Sequence, residues 1–269
     1  MIQTPNPDSY SDVIMSTIPA THEVIHISAP GDADVLKLAT RDVPRCGDDD
    51  LLVAVAAAGI NRHDVNQRRR GPEPGVPDVP GLELAGTVVR VGRGVKGWNV
   101  GDQVCGLVDG GAYARYATMP ASHALPIPDG MSLLEAGALP EALFTIWHNF
   151  FNVAGMRAGE VVLIHGGTSG VGTIAIQLLT ALGHQVFVTC GTDEKCTVAR
   201  ELGAIEAFNY TRDDWVAGIR AASTDGADVI LDMAAGRYAE QNLQALARRG
   251  RVVHLSPGQG ASIRVHPVM

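Results

Sequence analysis

Twelve residues constrain this chain more than any others: Val161-Val-Leu-Ile-His-Gly-Gly-Thr-Ser-Gly-Val-Gly172. The apolar run 161–164 reads as a buried parallel strand. The turn that follows is Gly166, Gly167, Thr168, Ser169, Gly170, Val171, Gly172. Residues 173–182 continue as an apolar helix, and Gly183 stops it. Strand, glycine turn and helix together make a phosphate cradle. Glycines let the backbone approach a pyrophosphate, and the helix start offers unpaired N–H groups at the positive end of its dipole. A strict G-x-G-x-x-A falls on Gly170, Gly172 and Ala175, inside the expected helix. The register that begins at the strand end is Gly167-x-Ser169-Gly170-x-Gly172, with serine where the middle glycine belongs.

The rest of the C-terminal half repeats the alternation. Strands are expected at 161–164, 185–190, 207–209, 228–232 and 251–255, and helices at 173–182, 194–202, 213–222 and 238–247. This predicts an α/β fold, a Rossmann-type doubly wound parallel sheet whose ligand lies beyond the carboxyl ends of the strands. A full dinucleotide fold has six strands in the order 3-2-1-4-5-6, and only five are present. The expectation is a chain truncated at its C-terminus, with 251–255 left as an exposed apolar edge.

The N-terminal half has a different character. Short alternating segments at 22–27, 34–38 and 51–58, a bent segment at 82–91 broken by Gly86, and a strand after residues 100–104 suggest a β-rich, barrel-like domain. Residues 61–70 form a short helical turn and 71–80 a Pro/Gly loop. A helix at 132–138 opens on Ser132 with Glu135 as its capping-box partner, Pro140 interrupts, and 142–153 continues as a second helix. The expected organisation is a disordered extension at 1–20, with Met15 as an alternative start, a β-rich domain at 21–138 and the dinucleotide domain at 139–269.

A net charge of −8 argues against a nucleic-acid or anionic-membrane surface. The four cysteines, Cys46, Cys105, Cys190 and Cys196, lack C-x-x-C spacing. They read as reduced thiols in a cytoplasmic protein, not as a zinc cluster. No run is long enough to cross a bilayer, and the first residues lack a signal pattern.

Several motifs taken together resemble the medium-chain dehydrogenase/reductases, and within them the zinc-free quinone oxidoreductases. They are Val55-Ala-Ala-Ala-Gly-Ile-Asn-Arg-His-Asp64, Pro80-Gly-Leu-Glu-Leu-Ala-Gly86, Val100-Gly-Asp-Gln-Val-Cys-Gly106, the glycine turn, and Phe208-Asn-Tyr210. The resemblance covers residues 22–269. It implies a GroES-like, partly open barrel domain before the dinucleotide domain, a small-molecule quinone or enone substrate, and a homodimer for a full-length form.

Zinc-using relatives place a cysteine and a His-Glu pair at the two early motifs. Asn61 stands at the cysteine position and Leu82 precedes Glu83 at the other. A single carboxylate does not hold zinc, which takes about four N, S or O ligands, so no catalytic metal is expected. His63 reads as an exposed helical-turn histidine.

An NAD site shows an acid about 20 residues past the glycine turn. Here the second strand ends in Gly191 and Thr192, and Asp193 and Glu194 open the next helix as dipole partners. Gly191 and Thr192 leave room for a 2′-phosphate, and Lys195 supplies charge. The resemblance assigns Gly191, Thr192 and Lys195 to that phosphate and sets Tyr210 beside it, so NADPH is expected. It also places Asn61 near the nicotinamide ribose and Thr145 near the cofactor. From the residues alone, Asn61 either does this or caps its own helix, and Thr145 either does this or bonds its own helix. Asp232 and Gly236 fit a cofactor contact or an ordinary βα turn. The loop 69–75 lacks the tyrosine that relatives carry there, and Tyr113 and Trp147 read as core aromatics. Three readings remain. They are an NADPH:quinone reductase without a metal, an enoyl or alkene reductase of the same kind, and a nucleotide-binding but inactive fragment.

Overall fold

The computed structural model of the chain describes residues 18–71, 74–223, 225–234 and 236–255. The expectations of disorder over residues 1–17 and of a chain that stops short over 262–269 lie outside the described residues. The chain divides into two compact units, Met1–Glu141 and Ala142–Met269.

In the first unit, β1 (Thr21–Ile27) pairs antiparallel with β2 (Leu36–Asp42). The strand expected at 34–38 is corrected: Ala33–Val35 is a 3-10 turn and the strand starts at Leu36. β2 has no buried residue, so no apolar alternation marks its bounds. The main sheet is antiparallel in the order β6-β3-β4-β5-β7. Its strands are β3 (Asp50–Ala57), β4 (Glu83–Val91), β5 (Gln103–Leu107), β6 (Tyr116–Pro120) and β7 (Ala124–Pro126). Leu51, Val53, Leu84, Val88, Val104 and Met119 fill its core. β4 runs unbroken through Gly86, and the irregularity expected there appears as a shift in its pairing with β3. A Cβ at Gly86 would lie 2.1 Å from the Ala54 carbonyl, and the β3–β4 register shifts between Leu52 and Val53 and again between Val55 and Ala57, the second opposite Gly86.

Three helices complete this part of the chain: α1 (Arg62–Arg70), α2 (Leu133–Ala136) and α3 (Pro140–Trp147). Ser132 and Glu135 form the expected capping box, with Ser132 N–H donating to Glu135 Oε2 at 2.9 Å. Pro140 does not interrupt a helix but begins one, where its missing N–H costs nothing. The single helix expected to Val153 changes at His148 into a π-helix, His148–Val153.

The second unit holds a parallel sheet in the order β10-β9-β8-β11-β12, which in sequence rank is 3-2-1-4-5. Its strands are β8 (Val161–His165), β9 (Gln185–Cys190), β10 (Glu206–Asn209), β11 (Ala227–Asp232) and β12 (Leu246–His254). Alternate residues serve opposite faces. Val162, Ile164, Val186 and Val188 pack under α4 (Gly170–Ala181) and α5 (Asp193–Glu201). Leu163, Phe187 and Ile230 pack with Trp215 and Ile219 of α6 (Trp215–Ala222) and with Ala245 of α7 (Ala239–Ala245). Fully burying such a side chain contributes about 1.5–3 kcal/mol.

Three helix bounds move. α4 starts at Gly170, three residues before the expected start, because Ser169 caps it. α6 starts at Trp215 behind the cap Asp214. α7 stops at Ala245, and the chain from Leu246 is strand, entered against Gly226, whose added Cβ would lie 2.4 Å from the Ala245 carbonyl.

Candidate functional site

The glycine turn leaves β8 at Gly166, which takes a left-handed φ of 78°. The Gly166 and Gly167 amides donate to the Thr189 carbonyl at 3.0 and 3.1 Å, which ties the turn to β9. A Cβ at Gly167 would lie 2.7 Å from Val188, and one at Gly172 would lie 2.4 Å from the Gly166 carbonyl. Both glycines are required by close packing. A Cβ at Gly170 would meet nothing within 4 Å. Ser169 Oγ accepts from the Gly172 amide at 3.0 Å. The Gly170 and Val171 amides, first in the helix, have no intrahelical acceptor. The Gly167 and Thr168 amides also face the Cys190 thiol, whose pKa burial pushes up to about 11. Thr168 therefore enters the turn as a partner of Cys190 as well as a candidate ligand.

At the end of β9, Thr192 caps α5 by accepting from the Lys195 amide at 3.3 Å. Lys195 is exposed. Tyr210, just after β10, holds its hydroxyl 2.7 Å from where a Gly191 Cβ would be. Gly191, Thr192, Lys195 and Tyr210 thus share the carboxyl edge of neighbouring strands. Asp193 does more than partner a dipole, since its carboxylate accepts from Asn209 Nδ2 at 2.8 Å and Arg212 Nη1 at 2.7 Å. Glu194 is different: its own N–H and the Thr192 hydroxyl hold its carboxyl below the usual range. Sequence reasoning missed Arg237. Its guanidinium lies 5.8 Å from the Tyr210 ring centre and 5.5 Å from that of Tyr238.

Beneath the turn runs a buried polar chain. His165 Nδ1 meets Thr189 Oγ1 at 2.9 Å and its Nε2 meets Asn242 Oδ1 at 2.8 Å. Asn242 Nδ2 donates to Asp232 Oδ2 at 2.9 Å, and His254 Nδ1 lies 3.4 Å from the same oxygen. Asp232 is fully buried and also accepts from the Ala234 amide at 2.8 Å. Its carboxylate braces the βα turn from within. Gly236 takes a left-handed φ of 42° in the same turn.

In the first unit, Asn61 is the N-cap of α1 and forms a capping box with Asp64, and its side chain also reaches Glu83. Nδ2 donates to Glu83 Oε1 at 2.7 Å, while the backbone N–H donates to Asp64 Oδ2 at 2.7 Å. The other Glu83 oxygen accepts from the Glu141 amide at 2.8 Å. Burial pushes the Glu83 carboxyl up, against the two hydrogen bonds that favour its charge. Asp64 also accepts from the Gly81 amide at 3.1 Å and the Tyr113 hydroxyl at 2.9 Å. Burial, followed by the Asp64 charge, pushes the Tyr113 phenol up. Tyr113 is thus a hydrogen-bonding residue rather than a plain core aromatic.

Zinc does not fit these residues. Asn61 and Glu83 spend their polar atoms on each other and on backbone, and His63 is exposed. Among the described residues no group of three His, Cys, Asp or Glu side chains is set to hold a metal ion.

Thr145, on α3 in the second unit, is half-buried. Its carbonyl accepts from Asn149 Nδ2 at 2.8 Å where the helix turns π. Among the described residues its hydroxyl does not bond its own helix. Trp147 is not a core residue: it is 51% exposed and packs on Phe151 at 4.6 Å between ring centres. No helix among the described residues is long and apolar enough to cross a membrane.

Residues 47–129 match the alcohol dehydrogenase GroES-like domain, and residues 170–269 match the zinc-binding dehydrogenase domain. The chain is 31% identical over 258 residues to a quinone oxidoreductase of Rattus norvegicus, covering 94% of this chain and 78% of that protein. It is 35% identical over 245 residues to the low-reducing polyketide synthase drtA of Aspergillus calidoustus, covering 89% of this chain but only 10% of that one. The solved structure of CurK enoyl reductase matches with a TM-score of 0.79 at 27% identity, over 91% of this chain and 76% of that one. With a GroES-like unit, a parallel 3-2-1-4-5 sheet and these relatives, the chain belongs to the medium-chain dehydrogenase/reductases, in their zinc-free, quinone-oxidoreductase-type branch.

Proposed function

We propose that this chain is the NADPH-dependent part of a metal-independent reductase acting on a quinone or a related α,β-unsaturated carbonyl. The observation that carries the reading is the glycine turn. Gly167 and Gly172 are packed against backbone and side chain, yet Gly170 opens on empty space beside two unpaired helical amides. That is a cradle shaped for a pyrophosphate.

When bound, the nicotinamide supplies the hydride, and the protein supplies position. Gly170 and Val171 amides grip the pyrophosphate, helped by the dipole of α4. Gly167 and Gly172 keep the turn tight enough for that approach. Gly191 makes room for an adenosine 2′-phosphate, Lys195 neutralises it, and Thr192 and Tyr210 border it. In the other unit, Glu83 holds the N–H side of the Asn61 amide, and the rest of that side chain faces the start of α1. Thr145 offers a hydroxyl not committed to its own helix, as donor or acceptor.

A second reading, an enoyl or alkene reductase, is favoured by the match to CurK enoyl reductase and to a polyketide synthase. A third, nucleotide binding without turnover, predicts affinity alone. One experiment separates them. NADPH and NADH are titrated by fluorescence, and NADPH oxidation is then followed with a quinone panel and an enone panel. Tighter NADPH binding with quinone turnover is expected. Enone turnover alone selects the second reading, and NADPH binding without turnover selects the third. Equal affinity for NADH overturns the cofactor assignment.

A further inference from the structure

Arg237 is an exposed cation in the turn after β11 to which the cofactor assignment gives no task. It follows β11 by five positions, yet its guanidinium is held over two aromatic rings, 5.8 Å from Tyr210 and 5.5 Å from Tyr238. Tyr238 is fixed from below, packed on His165 at 4.7 Å and on Trp215 at 5.7 Å between ring centres. Tyr210 reaches the other way, to within 2.7 Å of the missing Gly191 Cβ. One tyrosine therefore links Arg237 to the loop that holds Thr192 and Lys195. A guanidinium lying over aromatic rings is restrained before any ligand arrives, and it keeps free the planar N–H edge that suits a phosphate. Among the described residues no carboxylate lies within ion-pair distance of it. Asp193 is paired with Arg212, and Glu194 is turned to Thr192.

We propose that Arg237 is a specificity-determining residue that reads an adenosine 2′-phosphate from the Tyr210 side, opposite Lys195. The inference rests on the NADPH reading. It goes beyond it by making the subsite two-sided, with one cation from the first turn of α5 and one from the loop after β11. Lys195 offers a point charge on a flexible stem, whereas Arg237 offers a restrained fork, so the second supplies most of the geometric selection.

The test uses adenosine 2′,5′-bisphosphate and 5′-AMP, which need no turnover, titrated calorimetrically into the full chain. The unaltered chain is expected to prefer the bisphosphate. Arg237→Gln should weaken it about tenfold and change 5′-AMP less than about twofold. Arg237→Lys should recover only part of the loss. A bisphosphate preference that survives intact in Arg237→Gln, or an equal loss for both ligands, overturns the assignment of Arg237 and leaves the NADPH reading standing. No preference in the unaltered chain overturns both. Arg237 is exposed, and equal melting temperatures for the variants exclude loss of fold as the cause of a change in affinity.

Discussion

Asn61 Nδ2 donates to Glu83 Oε1 at 2.7 Å, and this bond fixes which way the Asn61 amide points. Glu83 is itself pinned by the Glu141 amide and is 3% exposed. Glu83→Gln should break the arrangement, because an amide cannot accept on both of its atoms. One N–H of the glutamine would face a donor. The expected cost is about 1–3 kcal/mol of stability by urea unfolding, with a fall in turnover larger than any change in NADPH affinity. Gly59→Ala should act alike, since its Cβ would fall 1.9 Å from Glu83 Oε1. A Glu83→Gln protein of unchanged stability and rate would show that the Asn61 orientation is unimportant.

Two glycines of the turn separate packing from binding. Gly172→Ala pushes a methyl into the Gly166 carbonyl at 2.4 Å and should cost about 1–3 kcal/mol in thermal unfolding. Gly170→Ala meets nothing within 4 Å and should leave stability equal or slightly raised. It should nonetheless weaken NADPH by about tenfold or more, because the methyl occupies the approach of the pyrophosphate. Unimpaired binding by Gly170→Ala would remove the pyrophosphate from this position.

Cofactor choice should respond to two neighbouring charges in opposite directions. Lys195→Glu is expected to weaken NADPH about tenfold or more and NADH less than about twofold. Glu194→Gln removes a carboxylate that competes for the Thr192 hydroxyl, and should tighten NADPH about threefold. Parallel titrations of both cofactors check this. Equal losses for NADH and NADPH in Lys195→Glu would show that Lys195 is not reading the phosphate.

The buried His165 predicts acid sensitivity. Burial lowers its pKa below 6.5, so the unfolded chain takes up a proton that the folded chain refuses. Stability from this source is complete above 6.5 and is lost as the pH falls below it. His22, also lowered by burial, adds in the same direction. Glu83 and Glu141 work the opposite way. Burial raises both above 4.5, so the stability they contribute is lost as the pH rises through that region. Melting temperatures from about pH 5 to 7.5 should therefore fall toward the acid end, and His165→Gln should flatten the slope. An unchanged slope would show that His165 is not its source.

The sequence disclosed the second unit well, for a physical reason. Strands buried on both faces are apolar runs, and β8, β9 and β11 are nearly closed to solvent. The short strands β6 and β7 carry no such mark and went unread, and the exposed ribbon strand β2 was read with its bounds shifted. The segment 246–250 has helical composition, but tertiary contact with Gly226 makes it strand, and Arg249 takes a φ of 73° there. The site divides similarly. The glycine turn is contiguous, so its spacing shows in one dimension. Asn61 with Glu83 and Asp64 with Tyr113 lie 22 and 49 positions apart, and only the folded chain joins them. Arg237 gains its place through Tyr210, which spacing from the glycine turn does not indicate.

Ser169 stands where a third glycine would give a looser turn, and its hydroxyl already satisfies the Gly172 amide. The turn is thereby spared one orphaned donor and is held in shape by its own side chain. A guest meets a ready seat with two amides to fill rather than three. It gives up one possible contact and in return pays little ordering entropy on arrival.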